Sequence, residues 1–258
     1  MHQVLISLSS FGAAEVRRHG QLYFARLSHA AGADGIEVRG ELLTQPAAEL
    51  PALASMVREA GLQCVYSSPD GLWQEDGALD DAALDRALDA AALLGAARLK
   101  MSIGHFSAGS LAALPALAQR LDRSAVELVI ENDQTAAAGS LAALASFFPA
   151  AAARGLPLGM TFDMGNWHWV GECPLQAAKT LAEHVRYVHC KGVQRQPQRW
   201  VAVPLADSAD PWRAILGALP ADVPWAIEYP LAGDDLLATT GTEVRRLREI
   251  AAQAGAAS

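Results

Sequence analysis

LGMTFDMGNWHWVGECPLQAAKTLAEHVRYVHCKGV, Leu158 to Val193, decides how this chain is read. It contains two short apolar runs, each closed by a side chain able to ligate a metal: GMTF ends in Asp163 and VRYV ends in His189. A helix-length segment, Leu175 to His184, separates them. Two strands joined by a crossover helix run parallel, so in a parallel barrel both side chains emerge at the same rim. A carboxylate and an imidazole at one rim point to a metal.

Two further runs end the same way. Upstream, VELVI leads into Glu131, and downstream VPWAI leads into Glu228. The successive gaps from Glu131 to Asp163, His189 and Glu228 are 32, 26 and 39 residues, each about one strand-helix-strand repeat. Four consecutive staves of a barrel would then offer three carboxylates and one imidazole to a common point. Hard oxygen donors with a single nitrogen suit Mn²⁺, Mg²⁺ or Co²⁺ best, with Zn²⁺ also compatible.

The same alternation runs through the whole chain. Apolar runs near Val4–Ser9, Gly35–Val38, Gln63–Ser67, Arg98–Ile103, Val126–Glu131, Leu158–Asp163, Val185–His189 and Trp225–Glu228 read as strands. Alanine-rich amphipathic stretches fill the intervals, near Leu22–Ala31, Ala47–Ala60, Leu79–Leu94, Leu111–Leu121, Leu141–Ala153, Leu175–His184, Pro211–Leu219 and Glu243–Ala254. Gly32, Gly61, Gly95 and Gly155 each follow a helical run, where a left-handed terminal residue is wanted. Asp80 and Asp81 fall at the start of the third helix, on the favourable side of its dipole. The least regular stretch, Gln194 to Asp210, reads as a long polar loop over the mouth. Eight strands and eight helices in 258 residues, with no linker-like break, predict a single (βα)8 TIM barrel over residues 1–258.

Composition narrows the class further. Hydrophobic residues make up 52% and charged residues 19%, as in a globular domain. A formal net charge of -8 argues against a nucleic-acid partner, because neutralising phosphates needs a basic stripe. Three cysteines without CxxC spacing argue against a disulfide framework or structural zinc. No segment reads as a secretion signal or a membrane span, so a cytoplasmic protein without a membrane partner is expected. A homo-oligomer is left open.

On five stretches the chain resembles a known family, the xylose isomerase-like barrels of the sugar phosphate isomerase/epimerase group. They are GADGIEVR (Gly32 to Arg39), LVIEND (Leu128 to Asp133), TFDMGNWHW (Thr161 to Trp169), VRYVHCKGV (Val185 to Val193) and WAIEYPL (Trp225 to Leu231), in family order and at family spacing. The resemblance implies a divalent ion held by Glu131, Asp163, His189 and Glu228. It also implies, by analogy with the epimerase branch, that Glu131 and Glu228 shuttle the proton. Chemistry gives the same roles a reason. A carbon-bound proton beside a carbonyl or hydroxyl yields to a carboxylate only when the developing enediolate is stabilised, which a divalent ion does as a Lewis acid. One base gives isomerisation, and two opposed bases permit epimerisation.

Substrate-contact candidates surround this core. Glu37 alternates with Val38 and Arg39, so Glu37 and Arg39 share a face, and Glu37 is read either as reaching sugar hydroxyls or as part of an internal salt bridge. Lys100 and Lys191 end their strands and offer charge for a carboxylate or phosphate. Arg195 matches a substrate-contacting arginine of several members, and His168 lies among tryptophans past Asp163. Asn166 stands where the sugar epimerase branch usually has histidine, which weakens a ketohexose 3-epimerase assignment. Trp73, Trp167, Trp169 and Trp200 follow strands, where one or two are expected to line the pocket.

These readings favour a divalent-metal-dependent isomerase or epimerase of a small sugar, sugar acid, sugar phosphate or hydroxy-keto acid. The alternatives are a dehydratase resembling 3-dehydroshikimate dehydratase, and a non-catalytic sugar-binding barrel. A nuclease resembling endonuclease IV needs more metal-binding histidines and a basic surface, neither of which the sequence offers.

Overall fold

The apolar runs are too short and too uniformly hydrophobic to be half-exposed strands, so each must be covered on both faces. In the structure, a computed structural model describing residues 2–256, they close into an eight-stranded parallel barrel in the order β1-β10-β7-β6-β5-β4-β3-β2. The barrel strands are β1 (Val4–Ser7), β2 (Gly35–Arg39), β3 (Gln63–Trp73), β4 (Arg98–Gly104), β5 (Glu127–Glu131), β6 (Gly159–Asp163), β7 (Val185–Cys190) and β10 (Trp225–Ile227). Between β7 and β10 the chain makes an antiparallel hairpin, β8 (Gly192–Arg195) with β9 (Trp200–Val203). The fold is a (βα)8 TIM barrel.

Alternation along each strand divides the core in two. Val4, Ile6, Ile36, Leu99, Ile130, Phe162 and Val188 face outward and join one large cluster with the helices. Leu5, Val65, Tyr187 and Ala226 form a separate small cluster, an apolar plug inside the barrel. One pleat further on, toward the strand carboxyl ends, the inward positions turn polar: Ser7, Glu37, Ser67, Lys100, Thr161 and His189 are all buried. Charged groups there sit on an apolar floor, which strengthens their mutual interactions.

Ten α-helices pack around the described barrel: α1 (Ala13–His19), α2 (Gln21–Ala30), α3 (Pro46–Ala60), α4 (Asp81–Leu94), α5 (Leu114–Leu121), α6 (Ala136–Gly139), α7 (Leu141–Ala152), α8 (Pro174–Leu181), α9 (Trp212–Gly217) and α10 (Leu236–Ala256). Gly61 and Gly95 take φ of 65° and 64° and end α3 and α4 in the left-handed conformation. Asp80 is the N-cap of α4, accepting from the Ala83 amide at 2.9 Å. No helix among the described residues is long and apolar enough to cross a membrane.

The structure corrects several boundaries. Gln194–Asp210, expected as an irregular loop, contains most of the β8-β9 hairpin, because VQR and WVAV pair in register across a short turn. β3 runs to Trp73 rather than Ser67, with a register shift after Ser67. There Gly71 lies so close to Gly104 that an added Cβ would stand 3.0 Å from its Cα. Helix α1 was not anticipated, since its seven residues bury only Val16 and show no apolar periodicity. The last helix starts at Leu236 rather than Glu243, its first two turns, LLATTGT, holding three threonines and a glycine, poor helix formers that are carried by packing at the buried Thr240 and Gly241.

Candidate metal centre

β5, β6, β7 and β10 are consecutive staves, and the inward side chains at their carboxyl ends converge. Glu131 closes β5, Asp163 closes β6, His189 is the penultimate residue of β7, and Glu228 directly follows β10. One ligating atom from each of the four lies within 4.8 Å of the others. Asp163 and His189 are wholly buried, while Glu131 and Glu228 keep 15% and 10% of their side chains exposed toward the mouth. A reactant would have to approach from the two glutamates.

The surroundings fix which atoms point inward. His189 Nε2 lies 2.8 Å from Glu37 Oε2. A carboxylate can only accept, so Nε2 carries the hydrogen and Nδ1 is left facing the cluster. Nδ1 stands 3.0 Å from Glu131 Oε1, 3.0 Å from Glu228 Oε2 and 3.7 Å from Asp163 Oδ2. Asp163 is held as a one-oxygen donor, because its Oδ1 accepts the Gly165 and Asn166 amides at 2.8 and 2.9 Å and only Oδ2 remains for the centre. Asn132 locks the backbone beneath, donating to the Asp163 carbonyl at 3.0 Å and accepting its amide at 2.8 Å. His189 Nδ1 and Glu228 Oε2 are buried without a well-aligned hydrogen-bond partner. Such orphaned atoms, set beside two further carboxylate oxygens, fit a hard divalent cation.

Three cations are interleaved with the acids. Lys100 Nζ lies 2.8 Å from Glu131 Oε1 and 3.1 Å from Glu37 Oε1. Arg39 Nη1 bridges Glu37 Oε1 at 3.0 Å and Glu228 Oε1 at 2.7 Å. Lys191 Nζ lies 2.7 Å from Asp163 Oδ2 and 2.8 Å from Glu228 Oε2, the latter as an ion pair outside hydrogen-bond geometry. Burial opposes ionisation of Glu131 and Glu228, but Lys100 together with His189 outweighs it at Glu131, and His189 with Lys191 does so at Glu228. Both are held below the usual carboxylate range, Glu228 furthest. Burial likewise opposes charge on His189, yet Glu228 and Glu37 raise its pKa well above the ordinary value. Asp163 goes the other way: burial raises it more than Lys191 lowers it.

The remaining candidates divide by depth. Glu37 and Lys100 are not at the rim: their side chains are 0% and 1% exposed, and each is engaged by the protein's own charges. Of the two readings of Glu37, the structure contains the internal salt bridge, to Arg39 and Lys100. Asn166 is also consumed internally, its Oδ1 accepting from Lys191 at 3.1 Å and Gln134 at 3.0 Å while Nδ2 donates to the Asn132 carbonyl at 2.9 Å. His168 lies farther out, paired with Asp210 at 2.7 Å and set against Trp200 of the hairpin. Arg195 is exposed and lies over the Trp200 ring, 5.2 Å from its centroid. Trp73 and Trp167 belong to the core, packed on Phe147 and Phe162, while Trp169 and Trp200 are half-buried. Sequence reasoning passed over Arg39 and Asn132 as parts of the site. Arg39 shared a face with Glu37, which was the available signal; Asn132 carried none, since its partners are backbone atoms of another strand.

The sequence model described as "Xylose isomerase-like TIM barrel" matches residues 25–250, most of the chain. The protein belongs to this family. None of the curated proteins matches its sequence. Among solved structures, this xylose isomerase-like barrel is similar to the probable 3-DHS dehydratase AsbF of Bacillus anthracis, with TM-score 0.71 and 14% identity over 95% of this chain and 98% of that one. It is similar to L-ribulose 3-epimerase, with TM-score 0.69 and 18% identity over 98% and 96% of the two chains. D-allulose 3-epimerase from Methylomonas sp., solved with D-allulose, gives TM-score 0.68 and 14% identity over 96% of each chain. At such identities the likeness establishes a shared fold, on which lyase and epimerase sites are both carried.

Proposed function

We propose that this protein is a divalent-metal-dependent isomerase or epimerase of a small hydroxycarbonyl compound, a sugar, sugar acid or sugar phosphate. The observation that carries the reading is the convergence of Glu131, Asp163, His189 and Glu228 within 4.8 Å, with Nδ1 of His189 and Oε2 of Glu228 buried and lacking an aligned hydrogen bond. These four residues would hold the cation, Mn²⁺, Mg²⁺ or Co²⁺ by donor type. When bound, it would supply Lewis-acid stabilisation of the negative charge that develops as the proton leaves.

The chain's own residues do the rest. Glu131 and Glu228 are the members of the set that reach toward the mouth, so they are the groups placed to take and return a carbon-bound proton. Glu131 faces one ammonium, Lys100, whereas Glu228 faces both Arg39 and Lys191. Glu131 is therefore the stronger base of the two. Glu37 fixes the ring of His189, and the apolar plug below keeps water from reaching the centre from underneath.

The test is transfer of solvent deuterium into a panel of ketoses, aldoses and keto acids in the Mn²⁺-supplemented enzyme, read by mass spectrometry. The expected result is incorporation of one deuterium with conservation of the carbon skeleton and no loss of water. Glu131→Gln and Glu228→Gln should each lower exchange by about 10²–10⁴-fold, the usual contribution of a positioned base, with the circular dichroism spectrum unchanged. Undiminished exchange in both folded variants would remove their role, and a product lighter by one water would make the enzyme a dehydratase.

A further inference from the structure

Lys191 occupies a place that the proposed function leaves unexplained. Its ammonium is within ion-pair distance of Asp163 Oδ2 and Glu228 Oε2, two oxygens of the ligand set itself. The position is built. Lys191 follows β7 directly, and its stem crosses Gly165, where a Cβ would stand 2.8 Å from Lys191 Cδ and 3.0 Å from its Cγ. Asn166, anchored to the Asn132 carbonyl and to Gln134, gives Nζ its third contact at 3.1 Å. The side chain is 10% exposed, so water offers it little solvation.

A cation held by Asp163 and Glu228 would take the same two oxygens. The ammonium is then left with the neutral Asn166 carbonyl as its close partner, at a depth where an unpaired charge is costly. An anion supplied by the substrate restores the balance. It must lie beside the reacting oxygens, because Lys191 lies beside the ligand atoms, and a phosphate at the far end of a sugar chain does not reach there.

Resting on the metal-dependent reading above, we infer that Lys191 is a placeholder for the cation and, once displaced, the anchor for a carboxylate adjacent to the reacting hydroxycarbonyl carbon. The substrate class is thus a sugar acid or small hydroxy-keto acid. Cation and acid bind cooperatively, since each relieves the charge imbalance that the other creates.

The experiment is a titration of the full-length, metal-stripped protein with Mn²⁺, free Mn²⁺ being read by electron paramagnetic resonance. It is repeated with saturating glycolate, ethylene glycol or inorganic phosphate, each with a protein-free control for chelation. Glycolate should tighten Mn²⁺ binding by about tenfold or more, within the usual range of coupling between sites, and the neutral diol should not. Lys191→Met should bind Mn²⁺ more tightly than the parent in the absence of glycolate and lose the glycolate effect. Equal response to glycolate and diol, or Mn²⁺ binding in Lys191→Met no tighter than in the parent, overturns the inference while leaving the metal site in place. A phosphate response without a glycolate response overturns the carboxylate assignment. Absence of Mn²⁺ binding in the parent itself overturns the metal reading and the inference with it. The glycolate-against-diol comparison on the parent protein decides the matter even if the variant does not fold.

Discussion

Glu37 shows how much of the centre a single buried side chain can organise. It accepts from His189 Nε2 at 2.8 Å and pairs with Arg39 and Lys100 at 3.0 and 3.1 Å, wholly removed from solvent. Replacing it by Gln leaves two cations facing a neutral amide and allows the imidazole tautomer to change. Breaking a buried ion pair on one side costs about 3–5 kcal/mol, so Glu37→Gln should lower unfolding stability by roughly that amount in a urea titration. Mn²⁺ affinity should fall by about 10–100-fold, as for other residues that orient a metal-ligating histidine. A variant as stable as the parent and unimpaired in Mn²⁺ binding would mean that the ring is held by something other than Glu37.

At the scale of elements, the β8-β9 hairpin is the part of the barrel mouth that does not belong to the repeat. Gly192 begins it, and a Cβ there would come within 2.7 Å of the Val203 and Pro204 carbonyls, so the two arms can approach only at glycine. Its outer arm is tied down through side chains: His168 pairs with Asp210 and packs against Trp200, over which Arg195 also lies. Asp210→Asn removes the anionic half of that tie. Amide hydrogen exchange across residues 192–210 should accelerate by several-fold while the amides of β5, β6 and β7 keep their protection. Uniform acceleration throughout the barrel would instead make the pair part of the global fold.

For the whole molecule, the centre is an electrostatic lattice whose balance depends on pH and on cation. Glu37, Glu131 and Glu228 are all lowered from the ordinary 4.5; burial works against this, and His189, Lys100 and Lys191 among them overcome it. A lowered carboxylate contributes stability that is present above 4.5 and is lost as pH falls through the folded value. Asp163, raised by burial, works in the opposite sense, one group against three. The metal-free protein should therefore lose melting temperature as pH is taken below about 4.5. His189, raised well above 6.5, contributes fully below 6.5 and loses its contribution as pH rises through the folded value. At neutral pH, Mn²⁺ at a hundred times its dissociation constant should add about 2.7 kcal/mol, a rise of roughly 5–10 °C in a domain of this size. A melting temperature indifferent to Mn²⁺ would count against any folded-state binding.

What the sequence by itself determined was the periodic part: eight apolar runs, their alternation with helices, and a ligand type at the end of four of them. Inward and outward directions follow from a period of two along each strand, and strand ends follow from where apolarity stops, so Glu131, Asp163, His189 and Glu228 could be placed at one rim without coordinates. The hairpin at residues 192–203 lay outside that rule because its pairing is local and its burial partial. Tertiary structure alone decided what surrounds the ligand set. The contacts between Arg39 and Glu228, Glu37 and His189, and Lys100 and Glu131 span 189, 152 and 31 residues, and charge carries no periodicity by which such partners can be matched. Barrel closure brings them together, and the low-dielectric interior then makes pairing obligatory. Whether Lys191 was a solvated rim charge or a resident of the ligand cage was likewise settled only by the fold, which routes its stem across Gly165 and leaves its ammonium between Asp163 and Glu228.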